Sequence, residues 1–189
     1  MKLPVANFTH QFLIAMPGMQ DPRFSESITY MLHHDPEGAV GLVINKPTDL
    51  SVHDLLKEVA VPAQISLRRP DAKVLNGGPV AQHVGFVLHY EGGDWTSTRI
   101  LHDGLRVTSS KDILQAIAKG HGPDDYLIAL GYAGWGPGQI EQEMAANAWL
   151  NCPADQSILF SVPFDERWGA AARMMGVDVR LLHAGIGHA

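Results

Sequence analysis

The stretch Ser27-Ile28-Thr29-Tyr30-Met31-Leu32-His33-His34-Asp35-Pro36-Glu37-Gly38-Ala39-Val40-Gly41-Leu42-Val43-Ile44 decides the fold class. Ile28, Tyr30 and Leu32 fall on alternate positions, so residues 27–34 read as a strand with one buried face. Residues 40–44 are a second β-branched run with Gly41 inside it. Between them, Asp35-Pro36-Glu37-Gly38 is turn chemistry, because proline presets φ and glycine accepts conformations that other residues avoid. Strands joined by so short a turn lie antiparallel, since a parallel pair needs a crossover of a dozen residues or more.

Outward from this hairpin the same logic continues. Residues 12–16 form an apolar strand that Pro17-Gly18 breaks. Ser51, with Asp54 three residues on, caps a helix that places Val52, Leu55, Leu56 and Val59 on one face. Short strands are expected at 73–76 and 84–90. Residues 99–101 and 105–108 form another hairpin, turned by His102-Asp103-Gly104. Ser109 and Asp112 read as a second capping box, opening a helix lined by Ile113, Ala116 and Ile117 and ended by Gly120. A buried strand is expected at 126–130, a helix at 138–150 and a strand at 157–162. The last helix, 165–175, puts Trp168, Ala171, Ala172 and Met175 on one stripe before Gly176, and a short strand follows at 177–182. Hairpins come first and helices are interspersed, which predicts an α+β fold with a mixed, mainly antiparallel sheet. The whole chain, 1–189, reads as a single domain, with 61–71 a surface loop rather than a linker.

Composition narrows the function classes. Hydrophobic residues at 46% and charged ones at 18% are globular proportions. Fourteen Lys and Arg against 20 Asp and Glu give a net charge of −6, which argues against direct nucleic-acid binding, because phosphate recognition needs clustered cations. A lone Cys152 forms no internal disulfide, and no apolar run approaches the roughly 20 residues that span a bilayer. A cytoplasmic protein without membrane attachment is expected.

The most suggestive stretch is Gly131-Tyr132-Ala133-Gly134-Trp135-Gly136-Pro137-Gly138-Gln139, leading from a strand into a helix N-terminus, where backbone N–H groups can bind an anion. The dinucleotide pattern G-x-G-x-x-G fails, because Gly134 and Gly136 fit but Gln139 holds the third position. No Gly-Lys-Ser/Thr exists for a P-loop, and Glu141 and Glu143 would repel a phosphate. Asn76-Gly77-Gly78-Pro79 is a second glycine pair, with a turn as its plain explanation. His33 and His34 are adjacent and face opposite sides of a strand, no H-x-x-x-H spacing occurs, and a distant set such as His83, His89, His102 and Asp103 has no local signature. There is no G-x-S-x-G elbow, and Cys152 reads as a small buried hydrophobe. Trp135, between two glycines, is either core or a partly exposed contact anchor. No catalytic residue, cofactor or metal is therefore assigned. The expected working surface is Asn76, Gly77, Gly78 and Pro79 with Gly134, an exposed Trp135, Gly136, Gly138 and Gln139. It would serve a non-enzymatic interaction or regulatory protein with an unknown protein partner. The alternative is a small-molecule or anion-binding protein, or an unrecognised hydrolase, using residues 131–139.

Several stretches together resemble the YqgE/AlgH family: Phe12-Leu13-Ile14-Ala15-Met16-Pro17-Gly18-Met19 with Asp21-Pro22-Arg23-Phe24, Gly41-Leu42-Val43-Ile44-Asn45-Lys46-Pro47, Asn76-Gly77-Gly78-Pro79-Val80, and the 131–143 stretch continued by Asn147-Ala148-Trp149-Leu150. Each is weak alone, but their order and spacing are specific and the likeness covers nearly the whole chain. The resemblance implies an α+β fold with a bifurcated, partly barrel-like sheet surrounded by helices. It also implies a bacterial cytoplasmic protein of a largely uncharacterised group, one branch of which is described as a transcriptional regulator of alginate synthesis. The acidic balance and missing helix-turn-helix signature oppose direct DNA binding, so a regulatory effect would be indirect. The resemblance carries over no catalytic residue.

Overall fold

The hairpin read at 27–44 is present: β2 (Ile28–Asp35) and β3 (Gly38–Val43) pair antiparallel from Thr29↔Val43 to Asp35↔Gly38, with a register shift between Met31 and His33. The structure is a computed structural model that describes residues 7–59, 64–179 and 181. The chain forms two compact units, one from residues 1–45 and 133–189, the other from residues 46–132.

In the first unit β2 pairs β1 (Gln11–Ala15), which pairs β10 (Trp149–Pro153), while β3 pairs the end of β9 (Tyr126–Trp135) through Ala133, Gly134 and Trp135; every pair is antiparallel. Its helices are α3 (Gln139–Ala145), α4 (Gln156–Phe160) and α5 (Phe164–Met174), and α5 packs on β1, β2 and β10. Phe8, Leu13, Met31, Ala133, Trp135, Ile140 and Trp149 share one core. Arg167 is buried within this unit, donating to Val162 O at 2.9 Å and Ile44 O at 2.6 Å, with Phe164 under its guanidinium at 4.5 Å. Burial pushes its pKa down to about 10. Trp168 Nε1 donates to Ala15 O, tying α5 to β1.

In the second unit β9 pairs β6 (Val80–His89), β6 pairs β8 (Arg106–Thr108) and β8 pairs β7 (Thr98–Ile100), all antiparallel. Along its other edge β9 pairs β5 (Lys73–Asn76) in parallel at Ala129 and Leu130, and β5 pairs β4 (Pro47–Ser51) antiparallel. The helices α1 (Val52–Val59) and α2 (Lys111–Ala118) pack together over Val74, Val87, Tyr126 and Ile128. The sheet therefore divides along β9, which pairs β5 at one stretch and β3 at another. The fold is α+β with a mainly antiparallel, bifurcated sheet, as expected. Among the described residues no helix is long and apolar enough to cross a membrane.

Several expectations need correction. Residues 156–160 are helical, not a strand, because Asp155 Oδ1 accepts the Ile158 N–H at 3.0 Å and caps a helix there. The helix expected at 138–150 stops at Ala145; Asn147 turns in the left-handed region at φ 56, and Trp149 already belongs to β10. Residues 131–135 continue β9 instead of forming a loop. The N-cap of α2 is Ser110 rather than Ser109, and Asp112 instead accepts from Thr96 N and Oγ1. On α5, Met175 is exposed, whereas Arg167, Ala171 and Ala172 are buried. Residues 177–179 are not a strand; Arg180 and Leu182, which the expected strand included, lie outside the described residues.

Candidate functional site

β9 runs out at Trp135, Gly136-Pro137 turn the chain, and Gly138 opens α3 at φ 70. Gly134, Gly136 and Gln139 are exposed and Gly138 is half-buried. Trp135 is not the exposed anchor expected, being only 7% exposed. Its ring lies 6.0 Å from Trp149 and 6.3 Å from Phe24, inside the core of the first unit. An indole at the end of a buried strand gains more from that packing than from water.

The turn is fastened by one carboxylate. Glu143 Oε2 accepts the indole N–H of Trp135 at 2.9 Å and of Trp149 at 2.8 Å, while Oε1 accepts Gln139 Nε2 at 2.9 Å. Gln139 Oε1 in turn accepts the Gly136 N–H at 3.0 Å. A carboxylate holding several donors makes charge-assisted bonds, each worth about 1.5–3 kcal/mol. Beside it, His34 Nδ1 accepts the Phe8 N–H at 3.1 Å, which places the ring proton on Nε2. That Nε2–H donates to Glu141 Oε1 at 2.9 Å. Glu141 thus meets an imidazole in the first turn of α3, where an anion would otherwise have to sit.

Asn76 to Pro79 belong to the second unit. Asn76 is exposed, but Gly77 and Gly78 are buried. Gly77 N donates to Leu130 O at 2.8 Å, and Asn76 Oδ1 accepts Gly78 N at 3.2 Å. A Cβ on Gly77 would collide with Gly131 O, so the glycine lets two backbones lie together.

Burial and the Asp155 charge push the Cys152 thiol up to about 11, away from a reactive thiolate. His89 is fully buried: Nδ1–H donates to Tyr90 O at 2.6 Å and Nε2 accepts Thr108 Oγ1–H at 2.8 Å. His102 lies 3.1 Å from Asp103 on the exposed β7–β8 turn. No group of three His, Cys, Asp or Glu suited to a metal occurs among the described residues.

One feature escaped the sequence. In the second unit a cavity of about 300 Å³ is lined by Leu55, Val59, Val87, Leu114, Ile128 and Leu130, with His83, Thr108, Ser109, Ser110 and Lys111 also on its wall. No local spacing announces it, because its walls come from α1, β6, β8, α2 and β9.

Comparison with known proteins gives a consistent picture. A family model described as AlgH-like matches residues 12–180. A UPF0301 protein of Thioalkalivibrio sulfidiphilus is 50% identical over 184 residues, covering 97% of this chain and 98% of that relative. A UPF0301 protein of Saccharophagus degradans is 48% identical over 178 residues, covering 94% and 87%. The solution structure of the AlgH protein from Pseudomonas aeruginosa is similar with TM-score 0.77 and 46% identity, covering 100% of both chains. A crystal structure of a Corynebacterium diphtheriae protein shares the fold at TM-score 0.69 and 22% identity, covering 96% of this chain and 93% of that one.

Proposed function

The chain belongs to the AlgH-like family, and we propose that it is a bacterial cytoplasmic interaction or regulatory protein that performs no chemistry of its own and affects transcription only indirectly. The observation that supports this is the Glu143 clamp. It ties Trp135, Trp149 and Gln139 beneath a turn whose exposed residues are Gly134, Gly136, Pro137 and Gln139. A turn held in one shape loses little entropy when a partner docks on it. Trp135 acts here by positioning the turn, and in the other unit Asn76 supplies a further exposed element whose loop the buried Gly77 and Gly78 hold in place. The net charge of −6 suits a protein partner better than a nucleic acid. Both units are read as one domain, because β9 is a single strand that runs through them.

An anion site or a hydrolase centre at residues 131–139 is the weaker choice. Two carboxylates, Glu141 and Glu143, already stand on the first turns of α3. Affinity capture with the intact chain as bait tests the proposal, with Gln139→Ala and Gly134→Arg baits beside it. A partner held by the wild-type chain and lost by both folded variants supports it. A partner retained equally by all three baits contradicts it.

A further inference from the structure

We propose that the cavity walled by α1, α2, β6, β8 and β9 is a binding site for a small amphipathic oxyanion, with a carboxylate or phosphate monoester head and an unbranched apolar tail of about six or seven carbons. The inference is independent of the turn at residues 134–139, because every lining residue belongs to residues 46–132.

Size comes first. A volume of about 300 Å³ is at the lower end for ligand pockets. At about 30 Å³ for each water-sized group, it admits roughly ten non-hydrogen atoms. That suits a head of about three to five atoms on a chain of about six or seven carbons.

Polarity comes second. Leu55, Val59, Val87, Leu114, Ile128 and Leu130 form an apolar wall suited to a hydrocarbon tail. The same lining holds one lysine, Lys111, and no Asp or Glu, although the chain carries 20 acidic residues. The polar groups on the wall divide into occupied and unoccupied ones. Thr108 Oγ1 is taken by His89 Nε2 and Thr98 Oγ1, both at 2.8 Å. Ser110 Oγ donates to Asp112 and accepts the Ser97 N–H. Among the described residues, the Lys111 ammonium, the Ser109 hydroxyl and the His83 ring make no hydrogen bond or ion pair. The nearby Asp112 carboxylate is held by Thr96, Ser110 and Ile113 N, so it already has its donors. A cation and a hydroxyl without partners, beside a pocket of hydrocarbon, are the complement of an oxyanion with an apolar tail.

Isothermal titration of the full chain with octanoate, hexyl phosphate and octanol tests this. Both anions are expected to saturate one site, with octanol about tenfold weaker because it lacks the charge that Lys111 meets. Lys111→Met is expected to lower both anions to the octanol level and leave octanol unchanged. The better of the two anions identifies the head group. Gly85→Leu is expected to abolish all binding: Gly85 pairs with Leu130 across β6 and β9, and a Cβ there meets only Leu130 Cδ2, at 3.7 Å. Equal affinity for octanoate and octanol, an unchanged octanoate affinity in Lys111→Met, or no binding would each overturn the proposal. Lys111 is exposed, so its variant remains decisive even if Gly85→Leu fails to fold.

Discussion

Trp135 and Trp149 donate their indole N–H groups to the same oxygen of Glu143, at 2.9 and 2.8 Å, while their rings pack edge to face at 6.0 Å. The first residue ends β9, the second begins β10, and the acceptor lies on α3 between them in sequence. One carboxylate therefore joins two strands and a helix, and both indoles are satisfied only while it is present.

Removing that carboxylate is predicted to be costly. Glu143→Ala leaves two buried indole donors without an acceptor, and each unsatisfied group costs about 1–3 kcal/mol. A loss of about 2–6 kcal/mol in urea unfolding is expected. Glu143→Gln, which keeps one carbonyl oxygen, is expected to lose less. A Glu143→Ala midpoint within error of the wild type would show that the clamp is dispensable.

Two glycines from the expected surface are predicted to behave differently. Gly77→Ala drives a methyl into Gly131 O, and overpacking of this kind costs about 1–3 kcal/mol. At Gly136 the nearest atom to an added Cβ is Gln139 Oε1 at 4.0 Å, so Gly136→Ala is expected to stay within about 0.5 kcal/mol. Melting curves of the two variants check the contrast, and a reversed order would contradict it.

Buried His89 predicts a pH dependence with a definite sign. Desolvation lowers its folded pKa below the ordinary 6.5, and the nearby Arg106 charge lowers it further, against the opposing bond to Tyr90 O. The unfolded chain therefore takes up the proton first as the pH falls. The stability from neutral His89 is fully present above 6.5 and is lost as the pH falls below it toward the folded pKa. Melting temperatures from about pH 8 to about pH 5 should fall, and His89→Gln should flatten that fall. Parallel slopes for the two proteins would rule His89 out as the source. The window lies above the carboxylate range, so Asp21, Asp54 and Asp155, all held low by hydrogen bonds, do not contribute to it.

Arg167 is predicted to be intolerant of truncation. Its guanidinium serves Ile44 O and Val162 O from a buried position. Arg167→Ala removes both donors and leaves a cavity, and a loss of about 3 kcal/mol or more is expected in chemical unfolding. Arg167→Lys should recover little, because a single ammonium lacks the planar fork that reaches both carbonyls. Full recovery by lysine would contradict the geometric account.

What could be read in advance was local. The β2–β3 hairpin announced itself through alternation plus a four-residue turn, and Ser51 does cap α1, its Oγ accepting the Asp54 N–H at 3.0 Å. α4 was misread because a short apolar run suits strand and helix equally, and only the Asp155 side chain decides between them. β10 was missed because its partner, β1, lies some 140 residues earlier, where Asn151 Nδ2 donates to Gln11 Oε1. The Gln139–Glu143 spacing of four is helical and readable, but neither indole that completes the clamp is marked by spacing. The burial of Trp135 follows from β9 running on to residue 135, which glycines at 131 and 134 concealed.

The proposed role rests on the turn above Glu143, and amide hydrogen exchange of the chain with and without its captured partner reaches it most directly. Partner binding is predicted to slow exchange at Gly134, Gly138 and Gln139 while residues 98–100 of β7 remain unchanged. Protection confined to β7, with the turn exchanging as in the free chain, would contradict the account.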